Sequence, residues 1–90
     1  MHKTKSQSFP VSREDLQRAH GALCAEAHDY KRSILDVRKS HTGDDEEKGL
    51  EIEDRYLGWI HQNVAAANRI SAAISIRPVE LKHFLPEARK

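Results

Sequence analysis

The amino-acid sequence predicts an all-α protein: a long antiparallel helical hairpin that pairs into a homodimeric helical bundle and ends in a short C-terminal helix or tail. Three observations predict it. Leu16, His20, Leu23, Ala27, Tyr30, Ile34 and Val37 recur at alternating steps of four and three, which sets them on one seam of a helix. The stretch from Asp54 to Ile76 holds no Pro and carries a second apolar stripe of helical period. Between them, SHTGDDEEKG contains two Gly and no apolar side chain, so the chain turns there.

Taken in order, residues 1–10 are polar and basic without any period, and are expected to form a flexible tail. The hairpin is expected over 11–76, with a helix at about 12–40, a loop at about 41–45 and a second helix at about 46–76. Ser12 suits an N-cap. Asp15 takes the capping-box position, and Val11 and Leu16 have the spacing of a hydrophobic staple. Asp44, Asp45, Glu46 and Glu47 fall where a helix N-terminus favours negative charge, and Arg69 and Arg77 lie towards its other end. Pro78 ends or kinks the second helix, because it has no amide hydrogen and disfavours helical geometry at Arg77. The remainder, 77–90, is expected to form a short helix or tail in which Leu81, Phe84 and Leu85 come together as a lid on the hairpin.

The second helix is broader in its apolar face than a single neighbour requires. At about 100° per residue, Ile60, Asn63, Ala67, Ile70 and Ile74 cluster around Tyr56, while Leu57 and Val64 extend the arc one way and Trp59 the other, to about 160° in all. An amphipathic helix on one neighbour needs only about 100°. The surplus predicts a second contact surface. Composition points the same way: of 90 residues, 38% are hydrophobic, but ten are Ala and only Phe9, Tyr30, Tyr56, Trp59 and Phe84 are aromatic. A short chain with so few large side chains gains burial by association.

Charge and composition narrow the function classes. A net charge of +1, from fifteen basic and fourteen acidic side chains, gives no general affinity for nucleic acid or anionic lipid. The single Cys24 allows no internal disulfide, and no apolar run reaches the length of a membrane span or follows a secretion-signal layout. A soluble cytoplasmic protein is expected, with no small-molecule ligand. His20, Cys24 and His28 step by four along the first helix, but three successive turns span about 12 Å, too far for one tetrahedral ion, so no metal and no other cofactor are expected. His61 reads as surface, Ser33 and Asp36 lack a fixed His, and no Gly-rich phosphate loop joins a strand to a helix. An enzyme is therefore not expected.

Arg55-Tyr56-Leu57, followed by Ala65, Ile70 and Ile74-Ser75-Ile76, resembles the second helix of the TraM family, the quorum-sensing anti-activators of rhizobial conjugative plasmids. The spacing back to Asp15-Leu16 across a Gly-containing loop is also similar, so that the resemblance covers about two-thirds of the chain. The acidic DDEE run and the stretch after Arg77 depart from the family pattern. The resemblance implies a homodimeric, non-enzymatic protein that binds a LuxR-type transcriptional activator, blocks its DNA binding and represses conjugal transfer genes. The expected hairpin and dimer core is Leu16, Leu23, Tyr30, Ile34, Val37, Tyr56, Ile60, Ile70 and Ile74. Arg55, Trp59, Arg69, Phe84 and Leu85 are the expected partner-facing residues, since aromatics and Arg dominate interface energetics. The alternative, a small helical chaperone or adaptor for a secreted or phage protein, uses the same hairpin on another client.

Overall fold

The computed structural model describes residues 11–88; the tail expected at 1–10 lies outside them. Helix α1 spans Arg13–Ser40 and helix α2 spans Glu46–Ala73, packed together as a hairpin, with no strand among the described residues. A 3-10 turn, Gly43–Asp45, joins them, and a second one covers Leu81–Phe84.

Helix α1 begins where its cap begins. The Asp15 amide donates to Ser12 Oγ at 3.0 Å, satisfying one of the free N-terminal donors, while Val11 stays 59% exposed and does not form a covered staple. At the other end the His41 amide closes on Val37 O at 2.9 Å, and the loop passes through Gly43 at φ +61, a conformation a side chain would strain. Asp44 and Asp45 then lead into Glu46 and Glu47 in the first turn of α2, complementing its dipole.

Close to the loop the helices approach through Gly49, which is buried. A Cβ there would lie 2.6 Å from His41 Cβ. Gly49→Ala is therefore expected to destabilise the fold by about 1–3 kcal/mol despite alanine's better helix propensity, as read by urea denaturation. A neutral or stabilising result would mean that the loop yields at no cost.

Helix α2 stops at Ala73, short of the expected 76. The reason is a Schellman cap: Ser75 adopts φ 59, its amide approaches Ala72 O at 3.4 Å, and the Ile76 amide bonds Ser71 O at 2.9 Å. Arg77 thus lies beyond the helix and no basic residue occupies its last turn. The chain turns at this cap and runs back along the hairpin. Asn68 holds it through two bonds, donating to Val79 O at 3.1 Å and accepting from the Val79 amide at 2.8 Å. The Leu81–Phe84 turn then places Phe84 in the core, where it is 4% exposed beside Ala27, Ile34, Ile60 and Val64. The segment acts as the lid expected of Leu81, Phe84 and Leu85.

Polar cross-links fix the level of one helix against the other. Near the loop, Arg38 Nε donates to Glu53 Oε1 at 3.2 Å, and the Glu53 side chain is only 5% exposed. Midway, Asn63 Nδ2 donates to Leu23 O at 3.1 Å and Glu26 Oε1 at 2.8 Å. At the open end, fully buried Ser71 gives its hydroxyl hydrogen to Ala67 O at 3.2 Å, so His20 Nε2, 3.1 Å from Ser71 Oγ, is the donor in that pair.

Candidate partner-binding surface

The groove between the two helices has two flanks, and the returning segment covers only one. On a wheel of about 100° per residue, Cys24, His28, Lys31 and Leu35 lie to one side of the Ala27–Ile34 line, and Leu57 and Asn68 lie to the same side of α2. This is the covered side. The His28 ring sits 4.5 Å from the Phe84 ring, Arg38 Nη1 donates to Glu87 O at 2.8 Å, and Leu85 lines a cleft of about 630 Å³ with Lys31, Leu35 and Arg38. Cys24 is half-buried beneath it, and desolvation raises its thiol pKa above the ordinary value.

The other flank holds Leu23, Tyr30 and Val37 from α1 and Ile52, Tyr56, Trp59 and Ile70 from α2, none of them fully buried. Three aromatic rings form its centre. Tyr30 lies 5.8 Å from Tyr56 and 5.4 Å from Trp59, and Tyr56 meets Trp59 edge-on at 5.3 Å and 84°. Such edge-to-face packing holds the rings in fixed positions, while Trp59 remains 39% exposed. Partial desolvation, and after it the negative charge of Glu26 and a hydrogen bond to its carboxylate, raises the Tyr30 pKa above the ordinary phenol value. The cluster is a neutral, amphipathic aromatic patch.

The structure distributes the five expected partner-facing residues over three places. Arg55 and Trp59, one helical turn apart, share the open flank. Arg69 is exposed on the outer side of α2, away from α1. Leu85 is half-buried on the covered flank, and Phe84 is packed inside it rather than at the surface. Of the nine residues expected in the hairpin and dimer core, Ile34, Ile60 and Ile74 are buried within the single chain. Leu16, Leu23, Tyr30, Val37, Tyr56 and Ile70 are only half-buried.

Three buried positions are polar or small and escaped the apolar stripe: Gly49, Glu53 and Ser71. Extending the stripe by sevens from Ile60 and Tyr56 reaches Glu53 and Gly49, and one turn beyond Ala67 reaches Ser71, so helical geometry held that signal. His20, Cys24 and His28 do not converge. His20 bonds Ser71, His28 stacks on Phe84, and among the described residues no group of three His, Cys, Asp or Glu side chains is placed to hold a metal ion. His61 is exposed. No helix of the described residues is long and apolar enough to cross a membrane. No family model matches the chain, and neither a curated protein nor a solved structure matches it.

Proposed function

We propose that this chain is a non-catalytic binding protein that captures a LuxR-type transcriptional activator, holds it off its DNA and so represses conjugal transfer genes. The observation that carries the binding role is the flank with Tyr30, Tyr56 and Trp59, a packed aromatic cluster that the chain's own C-terminal segment leaves uncovered. Large aromatics held in place lose little entropy on docking and make strong anchors. The activator as partner rests on the likeness of Arg55-Tyr56-Leu57, Ala65, Ile70 and Ile74-Ser75-Ile76 to the TraM family. Repression then needs only that the chain favour the activator state unable to hold DNA.

Co-purification with a LuxR-type regulator encoded beside this gene, followed by a DNA gel shift, tests the reading. Addition of the protein should abolish the shift. Trp59→Ala should keep its helical circular dichroism and a cooperative melt, lowered only by the loss of its contacts with Tyr30 and Tyr56, yet bind the regulator more weakly by about 2 kcal/mol, roughly thirtyfold. A regulator that ignores the protein and keeps its DNA would overturn the proposal, and a Trp59→Ala variant that unfolds would move Trp59 from anchor to core.

A further inference from the structure

We infer that a cleft between α1 and the returning segment, on the covered side of the hairpin, binds a small organic monocarboxylate with an apolar body. The cleft encloses about 510 Å³, within the size range of ligand pockets. It is lined by His28 of α1, by the stretch that follows the Schellman cap and by the Leu81–Phe84 turn. The sequence predicts no small-molecule site because residue 28 and residues 77–84 meet only through the path of the chain.

The walls are held in place before any ligand arrives. Asn68 fixes the Val79 backbone from both sides, accepting from its amide at 2.8 Å and donating to its carbonyl at 3.1 Å. Phe84 is anchored in the core at 4% exposure, and the His28 ring packs against it at 4.5 Å. A cleft formed in advance loses little to ordering when it is filled.

Charge at the rim selects the ligand. Arg77 is exposed and has no ion pair or hydrogen bond among the described residues. Glu80, the one acid of the lining, pairs with Lys82 at 3.3 Å, and His83 Nε2 faces the same carboxylate at 3.7 Å. The acid and the lysine compensate each other, so one unbalanced cation remains, enough for a monoanion but not for a polyphosphate. The planar guanidinium of Arg77 matches a carboxylate through two parallel hydrogen bonds. His28 makes no hydrogen bond among the described residues and keeps at least one ring N–H in either protonation state, a second donor at the same cleft. Pro78, Val79 and Phe84 supply apolar lining for the body of the ligand. A molecule held in this way ties α1 to the returning segment, and it does so without touching the flank of Tyr30, Tyr56 and Trp59.

Titration of the whole chain with phenylacetate, followed by amide NMR, tests the site. The resonances of His28 and Val79 should shift together, with a dissociation constant of about a millimolar or lower. Phenylacetamide, which lacks the charge, and acetate, which lacks the body, should each bind about tenfold more weakly or worse. Arg77→Gln, an exposed substitution outside both helices, should keep the wild-type spectrum elsewhere and weaken phenylacetate about tenfold. No shift at His28 and Val79, or shifts scattered over the surface, overturns the site. Equal binding of the amide or of acetate, or an Arg77→Gln variant that binds like the wild type, overturns the carboxylate as its ligand.

Discussion

Ile34→Ala is expected to lower the unfolding free energy by about 3 kcal/mol or more, within the range for deleting a buried aliphatic side chain that leaves a cavity. Ile34 is 0% exposed and sits among Ala27, Ile60, Val64 and Phe84, brought together from α1, α2 and the returning segment. That cluster is small. With so few large side chains, its neighbours cannot close the space by repacking, and the full cavity term persists. Leu35 next to it is 39% exposed, so Leu35→Ala should cost about 1 kcal/mol or less. Urea unfolding of both variants makes the comparison. Equal losses would show that the core is not centred where the three segments meet.

Arg38→Ala has the second large expected effect, a loss of about 3 kcal/mol. The side chain links the hairpin to the returning segment, through Glu53 at 3.2 Å and Glu87 O at 2.8 Å. Glu53 is nearly inaccessible to water, so removing the guanidinium leaves a carboxylate charge in a poorly solvated site. The destabilisation measures the cost of that buried charge without its guanidinium more than the value of the ion pair. Accordingly, the double replacement Arg38→Met with Glu53→Leu should recover most of the lost stability, because an apolar pair of similar volume carries no desolvation cost. Thermal melts of the three proteins distinguish the cases. If Arg38→Ala alone melts with the wild type, water reaches Glu53 and the pair contributes little.

How far the fold was legible follows from which residues carried local signals. Ser12, followed by the seam from Leu16 to Val37, placed α1 to within a residue, since capping and period are properties of the helix itself. The polar stretch with Gly43 placed the turn, and the acids after it the start of α2. The end of α2 was not legible. Its terminator is Ser75 at positive φ, where Gly or Asn is the usual marker, and Pro78 drew the expected end three residues too far. The candidate surface was legible only in part. Arg55 and Trp59 follow from one helix wheel, whereas the separation of Phe84 and Leu85 from them depends on the path of the chain after Ser75.

By itself the sequence determined that this chain is two long helices folded back on each other, and that their apolar face is wider than one contact requires. Both depend on interactions within a few turns of helix. Only the tertiary structure decided which flank the surplus lies on. Asn68 seizing Val79, Phe84 entering the core and Arg38 reaching Glu87 join residues far apart in the chain, and no local period encodes them. Together they cover one side of the groove and leave Tyr30, Tyr56 and Trp59 open on the other.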